Sequence, residues 1–379
     1  MAGSITAYTT AGGRRYRVRY RKPDKSQTDK RGFKTKREAE LFLASVTVSK
    51  ATGEYLDPAL SRVTVEYLHQ RWLDGKKVLK ASAYDPLPRA WKNHVEPTWG
   101  NREIRSIEPS EVQAWVAQLY ETRSASVTLR ALGVLAGILD MAVADGRLKK
   151  NPARGLANRP RKPKKKAGRV YLSHQQLELL ARCSARPTLV RVLGTTGLRW
   201  GEAVALTAGG HNELRRRLHA ELNAPTVNGV VVVDTLKSWE DRWVPYRAGM
   251  AAEISALCVG KKPSDLIFAA EGGGYLRRPE HGTGWFEGAV ARAQQIDQSF
   301  PRVTVHDLRH TAASLAVSAG ANVKALQYML GHESAALTLD TYADLFDDDL
   351  ESVAAKLETA ATSAVFDPAW ARRLEELGA

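Results

Sequence analysis

The hydrophobic pattern changes period along the chain, and the changes divide it into units. In residues 1–60, Tyr16, Val18 and Tyr20 alternate with Arg15, Arg17, Arg19 and Arg21. That is the period-two signature of a strand with one apolar and one cationic face. Ser4–Tyr8 and Gln27–Phe33 are its expected neighbours. Thr35-Lys36-Arg37-Glu38 has the spacing of a capping box and opens a helix with Ala39, Phe42, Leu43 and Val46 on one face. Residues 63–157 read as all-helical. Thr64 caps a helix carrying Val65, Leu68, Trp72 and Leu73; Pro109-Ser110-Glu111 starts a second with Val112, Trp115, Val116 and Leu119 inward; a third spans about Ser124–Asp145. Gly146 and Asn151-Pro152 close the last of these.

Residues 158–169 interrupt the pattern with Arg159, Arg161, Lys162, Lys164, Lys165, Lys166 and Arg169, two prolines and no acid, an extended basic linker. Beyond it, residues 170–360 begin with Ser173 as a cap before Leu177, Leu179 and Leu180, and helical spacing continues to Leu206. The period shortens over 214–247, where Val230–Val233 and Arg242–Tyr246 read as strands joined by a polar turn at Lys237–Asp241. From Asp307 the helical period returns. The expectation is a multidomain protein: a small α+β N-terminal domain, an all-α domain, and a mixed, mainly-α domain with a small antiparallel sheet, ending in a tail over 361–379.

Charge sharpens this picture. The chain has 379 residues, a net charge of +15 and a pI near 9.8, which suggests a polyanionic partner. Residues 1–62 hold 14 Lys/Arg against 6 Asp/Glu, whereas residues 343–379 hold 3 against 9, so the two ends have different work to do. The arginine strand face suits a DNA groove, the plainer alternative being a solvated edge strand blunted by charge. The basic linker, with Lys162, Lys164, Lys165 and Lys166, suits a DNA backbone, or is simply a solvated hinge. The acidic segment suits protein rather than DNA, with Leu345, Phe346 and Leu350 as one apolar face and Trp370, Leu374 and Leu377 as a second. Cys183 and Cys258 stand alone, which argues against a disulfide framework or a Cys-based zinc site and for two buried thiols. No apolar run reads as a membrane span and Met1–Thr10 lacks a secretory core, so a cytoplasmic protein is expected.

Four features carry chemistry. Thr196-Gly197-Leu198-Arg199-Trp200-Gly201-Glu202 turns into a helix whose first turn holds Arg199, with an Arg199–Glu202 bridge as the structural alternative. His306-Asp307-Leu308-Arg309-His310 puts His306 and Arg309 on one helix face. Leu330-Gly331-His332 ends a helix, and Thr341-Tyr342 follows ten residues after His332. At these points the chain resembles the tyrosine recombinase family, and especially phage integrases of actinobacterial type. The resemblance covers most of the chain. It implies an arm-site DNA-binding domain in 1–60, a core-site-binding domain in 63–157 and a catalytic domain in 170–360. It implies Tyr342 as nucleophile, Arg199 and Arg309 as phosphate clamps, His306 and His332 at the two histidine positions, and Lys237 as the hairpin lysine. The spacing from His332 to Tyr342 is one residue longer than in many members; Tyr328, inside the preceding helix, is the competing and poorer choice.

The activity so implied is integration and excision of phage or mobile-element DNA through a 3′-phosphotyrosine. The expected partners are double-stranded attachment sites and three further protomers in a synaptic tetramer. A host DNA-bending factor and an excision factor are candidate accessory proteins, and the location is the cytoplasm and nucleoid of a bacterial host. Physical chemistry agrees with the roles. Two guanidiniums neutralise the phosphodiester and the extra charge of its transition state. His306 would accept or steer the phenol proton, His332 would bond a non-bridging oxygen, and Lys237 would protonate the leaving 5′-oxygen. No metal and no nucleotide cofactor are expected. His310 is expected to pack or hydrogen-bond rather than bind zinc with His306, because Arg309 between them opposes a cation. The competing readings are a silent DNA-binding regulator, which has no need of all these residues together, and a metal-dependent transposase or nuclease, which needs converging carboxylates.

Overall fold

The computed structural model describes residues 3–23, 25–52, 55, 60–161, 169–236, 241–279, 284–346, 349–363 and 372–373. The chain forms two compact units, residues 1–164 and 165–379. Both are mainly helical, with small antiparallel sheets.

The first unit opens with strands β1 (Ser4–Thr10), β2 (Gly13–Arg21) and β3 (Gln27–Phe33) in sheet order β1-β2-β3, followed by helix α1 (Lys36–Ala51). The alternation read in β2 is realised: Val18 and Tyr20 are buried with Ala39 and Val46, and Phe33 and Phe42 pack ring to ring at 5.3 Å. Arg19 and Arg21 are exposed, whereas Arg15 and Arg17 are half-buried, Arg17 lying 3.7 Å from Asp29. Thr35 caps α1 by accepting from the Glu38 N–H at 3.2 Å. The reciprocal bond differs from the expected box, since the Glu38 carboxylate accepts from the N–H of Lys34 at 2.9 Å.

Helices α2 (Val65–Asp74), α3 (Ala81–Tyr84), α4 (Pro86–Ala90), α5 (Glu96–Trp99), α6 (Pro109–Thr122) and α7 (Ala125–Ala144) build a second core in this unit. Thr64 and Ser124 cap α2 and α7 as read from sequence. The helical stretch from Ala81 to Trp99 was not legible: Pro86, Pro88 and Pro97 remove backbone donors, and Trp91–Val95 between them takes the wider π turn. Trp91 stacks on His69 at 3.9 Å, and Trp99 is 1% exposed. Helix α7 corrects the membrane reading, because it is long and apolar enough to span a bilayer by length and composition. Its apolar surface instead supplies Leu132, Val134, Leu135, Ile138 and Leu139 to the core around it.

In the second unit, α8 (His174–Arg182), α9 (Pro187–Thr196) and α10 (Trp200–Ala203) precede the strands. These are β4 (His211–Asn212), β5 (Arg217–Ala220), β6 (Leu222–Asn223), β7 (Thr226–Val227), β8 (Val230–Val231), β9 (Asp234–Thr235) and β10 (Arg242–Pro245). The expected pairing is corrected here. The Val230 strand does not pair with Arg242–Tyr246: β8 pairs with β7, β9 with β6, and β10 with β5 in a sheet ordered β10-β5-β4. The reason is Asn228-Gly229, both left-handed (φ 50° and 75°), which closes a two-residue β7–β8 turn. Helices α11 (Ala251–Cys258), α12 (Trp285–Ile296), α13 (Asp307–Ser318), α14 (Val323–Leu330), α15 (Ala335–Tyr342) and α16 (Asp349–Ser363) complete the unit. Helix α13 packs against α9, bringing the His306 and Thr196 segments together. Cys183 and Cys258 are free and only half-buried. Leu345 and Phe346 pack on the cluster around Tyr342 in their own unit, while Trp370, Leu374 and Leu377 lie outside the described residues.

Leu139 is fully buried in the α7 core and Leu41 is 63% exposed on α1. Leu139→Ala is expected to lower the unfolding free energy by about 2–5 kcal/mol, through lost burial and the cavity left behind. Leu41→Ala should shift it by less than about 0.5 kcal/mol. Urea unfolding of the full chain followed by tryptophan fluorescence measures both.

Candidate functional site

Two glycine-capped helix ends and one helix start converge in the second unit. Helix α9 ends at Gly197 and α14 at Gly331, both left-handed. At Gly331 a side chain is excluded twice over, by its φ of 63° and by the Arg242 guanidinium carbon only 2.6 Å from where a Cβ would sit. Arg199 follows the first turn as the N-cap of α10, one position earlier than the first-turn placement expected. His332 follows the second. His306 is the N-cap of α13, so Arg309 and His310 lie in its first turn.

Glu202 ties these pieces together. Its carboxylate is 1% exposed and accepts from Arg199 Nη1 at 2.7 Å, from the Arg199 N–H at 3.0 Å and from Arg242 Nη2 at 2.8 Å. Arg242, itself 4% exposed, also donates to the carbonyls of Met329 (3.2 Å) and Leu330 (3.4 Å) at the C-terminal end of α14. Arg199 Nη2 donates to the Gly331 carbonyl at 3.2 Å. The bridge weighed as an alternative to a site is therefore present, and it orients Arg199 rather than consuming it, since the side chain stays 30% exposed. Arg309, 4% exposed, donates to the Gly197 carbonyl at 2.6 Å.

Arg199, Arg309 and His306 line one cavity of about 280 Å³ together with Arg278. Burial first, and then Arg199, lower the pKa of Arg309, although a guanidinium still carries its charge at neutral pH. Three histidines sit in this cationic field and are depressed. For His306, which keeps an exposed rim, the protein packed against it acts first, then Arg309 and Arg278. His310 and His332 are held at about 4, by burial first and then by His306 and Arg169 for the one, Arg309 and Arg199 for the other. All three are neutral at pH 7.

Tyr342 is 1% exposed, and burial raises its pKa against the pull of Arg309 and Arg169. Its ring lies parallel to that of His332 (6.2 Å between centroids, 10°), and the Arg169 guanidinium lies over it at 5.7 Å. His332 Nδ1 pairs with Thr338 Oγ1 at 2.9 Å. The hydroxyl of Tyr342 corrects one expectation. Its partner is His310 Nδ1, at 2.9 Å, and not His306, which faces the cavity.

Of the other expected site residues, Lys237 lies outside the described residues, between β9 and β10, and so do Lys162, Lys164, Lys165 and Lys166. Arg15, Arg17, Arg19 and Arg21 lie on β2 of the first unit. Sequence reasoning missed Arg242, Arg278 and Arg169. None of the three had a signal in the sequence beyond general basicity, since the partners of Arg242 lie 40 and 87 positions away. Among the described residues, no group of three or more His, Cys, Asp or Glu side chains is arranged to hold a metal ion.

Sequence models of the phage integrase family and of the phage integrase central domain match residues 171–348 and 65–159. A transposase from transposon Tn916 of Enterococcus faecalis is 28% identical over 64% of this chain, which spans about 65% of that relative's length. The integrase of Mycobacterium phage D29 is 24% identical, over 80% of this chain and 82% of its own. The fold is that of the Tn1549 transposon integrase solved with a circular intermediate DNA: TM-score 0.63, 21% identity, 78% of this chain and 99% of that one.

Burial works to raise the pKa of Glu202, but Arg242 and Arg199 outweigh it and hold it below the usual carboxylate value. A depressed carboxylate contributes stability that is present above its unfolded pKa and is lost as pH falls through the folded one. Glu202→Gln is expected to destabilise by about 3–5 kcal/mol at pH 7, because it leaves a buried guanidinium uncompensated. The gap to wild type should narrow as pH falls below the ordinary carboxylate value near 4.5. Unfolding free energies from pH 7 down to pH 3 test this, and Glu178, held at about 2 by Arg191 and Arg182, titrates in both proteins and cancels in the difference.

Proposed function

This chain belongs to the phage integrase family of tyrosine recombinases, and on that footing we propose that it is a site-specific DNA recombinase with Tyr342 as nucleophile. The observation that carries the reading is the grouping of Arg199, Arg309 and His306 on one cavity, with Tyr342 and His332 on the neighbouring helix and turn. A scissile phosphodiester in that cavity receives hydrogen bonds from Arg199 and Arg309 on its non-bridging oxygens, and His332 adds another. The Tyr342 oxygen attacks phosphorus, giving a 3′-phosphotyrosine and releasing the 5′-oxygen, which takes its proton from Lys237. The ester keeps the bond energy, so a 5′-hydroxyl from a second duplex reseals the strand without a nucleotide cofactor or a metal ion.

In this reading residues 1–60 bind arm-type sites through Arg15, Arg17, Arg19 and Arg21. Residues 63–157 bind core sites, and the 158–169 linker, with Lys162, Lys164, Lys165 and Lys166, follows the DNA backbone. Residues 170–360 are the catalytic domain, and 361–379 the tail. The DNA partner is a pair of attachment sites held in a tetramer, in the cytoplasm of a bacterial host. The chemistry integrates and excises phage or mobile-element DNA, with DNA-bending and excision factors as accessory partners. The circular intermediate DNA bound by the Tn1549 integrase supports a DNA substrate.

Sequencing the host DNA fragments captured covalently by the wild-type protein maps the cleavage position and supplies a nicked duplex for assays. Tyr342→Phe is expected to bind that duplex with unchanged affinity and to form no protein-linked DNA on a denaturing gel. Wild type should form the adduct in excess chelator. An adduct from the Phe variant, or one dependent on metal, would falsify the reading.

Arg309→Ala should slow single-turnover cleavage about 10²–10³-fold while weakening DNA binding far less, because its donors meet charge that develops in the transition state. Equal losses in rate and affinity on the same duplex would make Arg309 an ordinary phosphate anchor.

A further inference from the structure

His306 and His310 are one turn apart at the start of α13, their rings edge to face at 5.0 Å. They face different surroundings. His306 borders the cavity with Arg199, Arg309 and Arg278, while His310 holds the Tyr342 hydroxyl at 2.9 Å, its ring 5.6 Å from the phenol ring. We propose that His310 is a further catalytic residue, receiving the Tyr342 proton on Nδ1 as the phenol oxygen bonds to phosphorus and returning it when the strand is resealed. This rests on Tyr342 being the nucleophile.

The step balances without another reactant. The Oη–H bond breaks and its proton passes to Nδ1; the Oη–P bond forms as the P–O5′ bond breaks, and the leaving oxygen takes a proton from the general acid of the proposed function. In resealing, O5′ attacks phosphorus, the Oη–P bond breaks, and the imidazolium returns its proton to the phenolate. The assignment requires the Nε2–H tautomer, which leaves Nδ1 free to accept.

The groups facing His310 are His306, Asp307 and Arg309 from its own helix, Arg169 from the start of the unit, and Tyr342 from α15. Burial first, then His306 and Arg169, keep the ring neutral and able to accept at pH 7. A base this weak does not ionise a buried phenol in advance, so the transfer accompanies bond formation. The phenol oxygen loses basicity as it bonds to phosphorus, and the phosphate's negative charge offsets the arginines that disfavour an imidazolium. A general base aligned in this way is worth about 10²–10⁴ in rate.

The test is single-turnover cleavage of the nicked duplex by the full chain from pH 6 to 9.5, with DNA affinity and thermal midpoint measured for each variant. His310→Ala is expected to cleave about 100-fold more slowly at pH 7 with affinity unchanged. Its rate should climb about tenfold per pH unit, toward phenol ionisation, where wild type is flat. Added imidazole should recover part of the rate. His310→Gln retains hydrogen bonding and comparable bulk but takes no proton, and should stay as slow as Ala. Cleavage by His310→Gln at the wild-type rate, or a His310→Ala profile parallel to wild type, overturns the proposal and leaves His310 a packing residue. Loss of the flat profile in His306→Ala instead would give the role to His306. An adduct formed by Tyr342→Phe would defeat the nucleophile assignment beneath it, an outcome separate from all of these.

Discussion

A carboxylate with almost no contact with water, flanked by two guanidiniums, sets the geometry of the second unit. Glu202 is fixed by burial, and it fixes in turn Arg199 on the α9–α10 turn and Arg242 on β10. Arg242 reaches the last carbonyls of α14, and Arg199 reaches the Gly331 carbonyl. A turn, a strand and a helix end from distant parts of the chain are thereby locked in register. Removing the charges from water is costly unless every lone pair and donor is matched. That cost is accepted where one guanidinium must present its free edge in a single orientation.

Much of this was legible in the sequence because short-range chemistry dictates it. A left-handed helix cap demands Gly, so Gly197 and Gly331 announce where α9 and α14 stop, and hence where Arg199 and His332 leave their turns. The alternation in Tyr16–Arg21 and the caps at Thr64, Ser124 and Ser173 are equally local. The hairpin pairing was misread because strands of two residues carry no period, and Asn228-Gly229 outweighed the apolar run beside it. The stretch from Ala81 to Trp99 hid behind its prolines. His306 and His310 share a helix face at one-turn spacing; which of them meets Tyr342 depends on where α15 docks, a tertiary fact with no local signal. Arg242 was invisible as a site residue for the same reason, since its partners lie 40 and 87 positions away.

The histidines show how one field serves several purposes. The arginines gathered here, together with burial, depress His306, His310 and His332 among them. This keeps His306, His310 and His332 as neutral hydrogen-bonding groups rather than extra cations, and limits self-repulsion in a protein at a net +15. On the proposed function, a phosphodiester in the site would bring the negative charge that balances this field. Its negative charge would offset the arginines that disfavour a proton on the rings around it.

The bond from Arg199 to the Gly331 carbonyl joins residues 132 positions apart, and the His310–Tyr342 contact comes later still in the chain. A ribosome delivers the chain from its N-terminus at about 5–20 residues per second. The basic first unit therefore emerges well before Tyr342 has been translated. On the proposed function, binding precedes the ability to cut in the life of every new molecule, and a polypeptide abandoned midway through translation would occupy DNA without breaking it.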